Sequence, residues 1–258
     1  MKWAGILRAE IRDRESGLRL PFEAALKAPC VLVLAAKVFV VAEERNLPLV
    51  ASKLKDFKLE QEVRIEGDSF SLLSEITDLD ISKESLEGTF AFDTVFQVNQ
   101  HGKQVPFVRT FEAPFSFDLF GNNLFLSVFD KKARANNIAN EMSKALFMSL
   151  GQIVEGRIQP ETLKRFHEEN FEMTKILFFD DIDLPNISKL SLYGEGLGST
   201  ALYNDYLTHG KIWYAVVKSQ KYGYVVGVTR NCVVTVFSRT ELPDFKRYVR
   251  NEILPLIS

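Results

Sequence analysis

Three places in this chain carry residue types that could do chemistry. Asp180, Asp181 and Asp183 follow the apolar run KILFF, and carboxylates at a strand end can hold a divalent cation. No further ligand or phosphate-binding residue is identifiable beside them, so the cluster reads first as a solvated strand end. His101 and His209 each open a His-Gly-Lys tripeptide and could serve as a matched pair of acid–base groups. The same tripeptide is also ordinary turn chemistry, with glycine taking a positive φ. The third place is GEGLGST, Gly194–Thr200, between an expected strand and an expected helix, where backbone N–H groups can cradle an anion. It lacks the lysine of a phosphate loop and the G-x-G-x-x-G spacing, and it reads as a flexible connection. His167, in FHEEN, is expected to face solvent on a helix. There is no Cys–His pair, G-x-S-x-G elbow or C-x-x-C. No catalytic residue, cofactor or metal is assigned. His101, His209, Asp180 and Asp181 are the weak candidates.

Composition narrows the classes. Apolar residues make up 46% of the chain and charged residues 26%, as in globular proteins able to bury a core. The net charge of −2 supplies no bulk field toward nucleic acid or an anionic membrane. Cys30 and Cys232 both sit in apolar surroundings and read as small buried hydrophobes, which favours a reducing compartment. The start of the chain has no apolar segment of signal-peptide type. The most apolar run, Ala28–Ala42, has Lys37 in its middle, too short and too charged to span a bilayer. The expectation is a buried run in a cytoplasmic protein with no membrane contact.

The elements that must position these residues show a repetition. ISKESLEG at 81–88 returns as ISKLSLYG at 187–194, and HGK at 101–103 returns at 209–211. From there the register holds without a gap, so that NNLFLSVFDKK overlays RNCVVTVFSRT. Two copies of more than 100 residues indicate a tandem pair of domains rather than a solenoid. The expected boundaries are 1–150 and 151–258.

In the second copy, QPETLKRFHEEN and ALYNDYLTH are predicted helices, the latter capped by Ser199 or Thr200. KIWYAVVKS, YGYVVGVTR and CVVTVFS are predicted strands of an antiparallel meander. TELPDFKRYVRNEILPLI is a predicted amphipathic helix capped by Thr240. The resulting order, α-β-β-α-β-β-β-α, is similar to that of the roadblock, longin and profilin-like group of folds. The first copy departs from it. EVRIEGDSFSLLSEI suggests an extra hairpin and GTFAFDTVFQVNQ another strand, so that five strands precede the helix KKARANNIANEMSKALF, closer to a helix-grip sheet. The fold class expected is α+β: two related units, each an antiparallel sheet packed by helices.

With no chemistry advertised, the leading functional expectation is a non-catalytic protein-interaction module, an adaptor or regulator. Its partner is unknown, a second copy of the chain being one candidate. Trp213 and Tyr214, on a strand flanked by Lys218 and Lys221 with Tyr222 beyond, are the expected contact residues, because Trp and Tyr most often anchor interfaces. An alternative is nucleic-acid binding by a duplicated curved sheet, with KSQKYGY, FDKK and FKRYVR supplying basic and aromatic contacts; the overall acidity argues against it. A third reading is a small-molecule pocket or enzyme site lined by VPFVRTFEAPFSFDLF in the first copy.

Overall fold

The computed structural model describes residues 33–257 apart from Glu43 and Glu66. Cys30 and the first part of the apolar run lie outside the described residues. The rest of that run is strand β1 (Leu34–Val41), and everything else is arranged around it.

On one side lies a meander of β2 (Lys58–Ile65), β3 (Asp68–Ile81), β4 (Ser85–Gln100), β5 (Lys103–Phe120) and β6 (Asn123–Val128). Tight turns force neighbours in sequence to be neighbours in the sheet. The β4–β5 turn is His101-Gly102, both with positive φ, as the mirror-image hairpin turns require. Helix α1 (Leu47–Leu54) starts where the Asn46 side chain accepts from the Leu49 N–H. Helix α2 (Lys132–Phe147) follows β6, and its apolar stripe Ile138, Met142 and Leu146 is buried.

On the other side the chain runs β7 (Ile153–Glu155), α3 (Pro160–Glu168), β8 (Thr174–Asp180), β9 (Leu190–Tyr193), α4 (Ala201–His209), β10 (Lys211–Lys218), β11 (Val225–Thr229), β12 (Val233–Val236) and α5 (Leu242–Tyr248). Thr200 caps α4 by accepting from the Tyr203 N–H at 3.2 Å. The twelve strands form one sheet in the order β2-β3-β4-β5-β6-β1-β12-β11-β10-β8-β9, with β7 also on β1. All the pairings are antiparallel. The architecture is α+β.

Strand alternation makes β1 the joint between two cores. Ala36 and Val38 enter a core with Leu177, Phe179, Val234, Val236 and Phe245, whereas Phe39 and Val41 enter one with Leu126, Val128, Ile138 and Met142. The helices of the two halves therefore lie on opposite faces of the sheet. Lys37 sits at the crossover, wholly buried. Its ammonium donates to Asn136 Oδ1 at 2.6 Å and pairs with Glu155, tying β1 to α2 and β7. A lysine can be enclosed there because both partners are held by packed elements. The neighbouring Cys232 thiol is buried, and burial pushes its pKa up to about 12.

Several expectations change. Residues 123–129 and 231–237 do take like positions: β6 and β12 flank β1, and the Phe129 and Phe237 N–H groups donate 2.9 Å bonds to Pro114 and Val225 of the preceding strands. The other matched phrases do not. ISKESLEG leads from β3 into interior strand β4, and ISKLSLYG into edge strand β9; the first HGK is a hairpin tip, the second ends α4. Glu241, not Thr240, precedes α5, which continues as a π-helical turn over Val249–Ile253. His167 is buried, not solvent-facing. Its Nδ1 lies 2.8 Å from Thr174 Oγ1 and its ring packs on Tyr203, because α3 turns that side onto β8 and α4. Burial lowers its pKa to about 4.

Candidate functional site

Two regions stand out, one in each half. In the second, β8 alternates Leu177 and Phe179 into the core with Phe178 and Asp180 on the other face. Strand β10 has a register shift between Ile212 and Tyr214, a bulge of the kind that re-aims a side chain. It sets Trp213 beside Tyr214, ring centroids 5.8 Å apart, and both rings contact Phe178. Tyr193 of β9 extends the group at 5.7 Å from Phe178 and is 66% exposed. Tyr214 packs closely on Gly227 of β11. A Cβ there would come within 2.3 Å of the Tyr214 hydroxyl, so a larger residue would have to displace the ring.

At the strand ends beside these rings is a cleft of about 450 Å³ lined by Asp180, Trp213, Thr229, Arg230, Asn231, Val233 and, from α2, Lys132. Asp180 Oδ2 accepts from the Arg230 guanidinium, whose Nη1 is 3.6 Å from Asp181. Burial raises the Asp180 pKa, partly offset by Arg230. Thr229 Oγ1 donates to Asn231 Oδ1 at 2.7 Å, which leaves the Asn231 amide N–H groups to point elsewhere. Two polar atoms of this group, Asp180 Oδ1 and Trp213 Nε1, are buried with no hydrogen-bond partner. The Lys189 ammonium lies over the Trp213 ring at 4.9 Å and acts on Asp180.

In the first half, β4 pairs with β5 over its whole length but with β3 only from Phe92 back to Leu86. Residues 93–110 therefore project as a two-stranded arm, and the Asp93 carboxylate accepts the Leu73 N–H where the strands part. Along one face of the arm a ladder of phenylalanine rings leaves the core. Phe57–Phe90, Phe90–Phe92, Phe92–Phe111, Phe111–Phe96 and Phe96–Phe107 follow one another at 5.7–6.1 Å. Phe90 is buried under α1 and α2, whereas Phe96 and Phe107 are 39% and 41% exposed. Val98 and Val105, the next pair toward the tip, are exposed as well.

The structure thus brings together Trp213, Tyr214, Asp180 and Asp181 and separates the other candidates. Lys218 is exposed at the far end of β10. Lys221 pairs with Glu252 at 2.8 Å, and Tyr222 stacks on Tyr224 and meets Tyr248 of α5, so these two belong to the helix-covered face. His101 is exposed at the arm tip. His209 Nδ1–H donates to the Asp183 carboxylate at 2.8 Å beside a second cleft, of about 400 Å³, that includes Asp181, Lys164 and Lys211. The two histidines are not a pair. Sequence reading missed Phe178, Arg230 and Gly227, and met Lys132 only within the basic FDKK stretch of the nucleic-acid alternative. The alternation in ILFFD could have flagged Phe178; nothing local could have flagged the others. Among the described residues no cluster of His, Cys, Asp and Glu could hold a metal ion, and no helix is long and apolar enough to cross a membrane. Compared with protein-family models and with curated proteins, the chain finds no match.

Proposed function

We propose that this protein is a non-catalytic interaction module, an adaptor or regulator, that works through the β4–β5 arm. The observation that carries the reading is the phenylalanine ladder: core packing continues outward along one sheet face after α1 and α2 have ended. A sheet face of this kind needs a second layer, and a two-stranded ribbon is marginal alone. The proposed occupant is a second copy. Sheets stack at about 10 Å, close to the depth of a helix on a sheet, so an antiparallel arm fits the step beside α2. A twofold axis then places Phe96 and Phe107 of both copies at the centre, the isologous arrangement. The partial correspondence of residues 123–129 with 231–237 supports an internal duplication limited to the last strand of each half.

Sedimentation equilibrium tests this. The expected result is a dimer that the double variant Phe96→Gln, Phe107→Gln weakens at least about 30-fold, the size of a hot-spot loss, while its Tm moves by less than about 3 °C. A wild-type chain that stays monomeric at about 100 µM, which would put the association weaker than about 5.5 kcal/mol, overturns self-pairing.

A further inference from the structure

The sheet ends at β2, and among the described residues no strand pairs with its outer edge. The Ile76 N–H donates to the Phe57 carbonyl at 3.2 Å, in the same register that sets Leu59 opposite Ser74 and Val63 opposite Phe70. Hydrogen bonds along an antiparallel strand alternate in direction, so Leu59, Gln61 and Val63 bond to β3. Lys58, Glu60, Glu62 and Arg64 therefore turn their N–H and C=O groups outward, and all four are exposed. Natural sheets blunt such an edge with a short strand, a bulge or a proline. Strand β9, at the other end of the sheet, has only four residues. Strand β2 has eight, pairs with β3 without a register shift and contains no proline. An edge left open in this way can accept an added strand.

We propose that the β2 edge takes an antiparallel strand from a partner protein, with acidic, basic, basic and acidic side chains at every second residue. This goes beyond self-pairing of the arm and gives the adaptor reading a different partner. Side chains directly opposite one another on paired strands share a face and interact. The outward-bonding residues of β2 carry the charges plus, minus, minus, plus, and the proposed strand is their complement. Glu62 and Arg64 make no ion pair among the described residues, and the β3 residues facing them are Ser71 and Ser69. Lys58 and Glu60 lie 3.6 Å apart in an open pair, which a partner can replace at little cost. A second copy does not fit. The twofold register that pairs all four residues sets Lys58 opposite Arg64 and Glu60 opposite Glu62. A slip of two residues sets Glu62 on Glu62 one way and Glu60 on Glu60 the other, and like charges directly opposite are unfavourable. On the other face Leu59, Val63 and Ile65 are half-buried, so apolar residues between the partner's charges continue that row.

Isothermal titration of the full chain with the acetylated and amidated peptide Glu-Val-Lys-Thr-Lys-Val-Glu tests the proposal. The expected result is saturable binding with a Kd below about 1 mM. The peptide Lys-Val-Glu-Thr-Glu-Val-Lys, of equal composition and net charge, should bind at least about 10-fold more weakly. N-methylation of either lysine amide, which faces β2, should abolish binding, and N-methylation of the threonine amide, which faces away, should not. The double variant Glu60→Lys, Glu62→Lys should lose the first peptide and take up Glu-Val-Glu-Thr-Glu-Val-Glu instead. Equal binding of the two isomeric peptides overturns the charge assignment, and equal effects of the two methylations overturn strand addition. No saturable heat with the first peptide at about 5 mM overturns the site, since that is weaker than about 3 kcal/mol. Self-association of the arm is read by sedimentation without peptide, so failure of either proposal leaves the other standing.

Discussion

Among the described residues both halves leave a stretch of sheet face without a helix, and they furnish it in opposite ways. The arm presents phenylalanine and valine, with no buried polar atom waiting for a partner. The second face presents tryptophan and tyrosine, and there Asp180 Oδ1 and Trp213 Nε1 find no hydrogen-bond partner among the described residues. Apolar exposure is relieved by any surface of the right shape, so it calls for area. A buried donor or acceptor without a partner is relieved only by a polar group of the complementary kind, so it calls for a particular chemistry. The two regions therefore differ in kind: a broad apolar face in one case, buried polar atoms beside aromatic rings in the other.

The largest test of this contrast is whether the arm really lies outside the core. Phe179, fully buried on β8, should cost about 3–5 kcal/mol when replaced by Ala. Phe107→Ala should change urea stability of the monomer by no more than about 0.5 kcal/mol. Comparable losses would make the arm part of the core. Next comes pH. His167 is neutral in the fold because burial lowers its pKa to about 4, against about 6.5 in the unfolded chain. Between those values the unfolded state binds the extra proton, so stability should fall as pH drops from about 6.5 to about 4, by on the order of 3 kcal/mol. In His167→Phe the urea midpoint should lose that slope whatever its absolute value; an unchanged slope would assign the acid sensitivity to other groups.

The aromatic face gives a smaller effect. Gly227→Ala forces Tyr214 off its seat and should cost about 1–3 kcal/mol. Tyr214→Ala in the same chain should recover most of that, and a double-mutant cycle that adds without coupling would mean the two do not touch in solution. Smallest of all is Lys221→Ala. Its pair with Glu252 is open to solvent and screened, so removing it should leave both the urea midpoint and dimerisation unaltered. A change in dimerisation would return the helix-covered side, with Tyr222, to the list of contact surfaces.

Much of the fold was legible because it is local. The hairpin at Gly67, the tight turn at Gly102, the Thr200 cap and the α2 stripe are each written within a few residues. The arm was half legible: evenly spaced phenylalanines in TFAFDTVF and PFVRTFEAPF announced one apolar face, but whether a helix would cover it depends on where α1 and α2 stop. His167 was misread because α3 carries polar residues around it, and what buries it comes from β8 and α4.

Alternation, turn residues and caps set which segments become strands and helices, since those preferences act over a few bonds. They also set the face on which each side chain emerges. They could not set that β1 would stand between β6 and β12 and serve two cores from its two faces, nor that Lys37 would be enclosed between Asn136 and Glu155. They could not bring Lys132 to Asp180 and Trp213, three residues from three distant segments. Those juxtapositions were decided by tertiary packing, because strand order is chosen by how much apolar surface the whole sheet can bury, and that sum is not contained in any one segment.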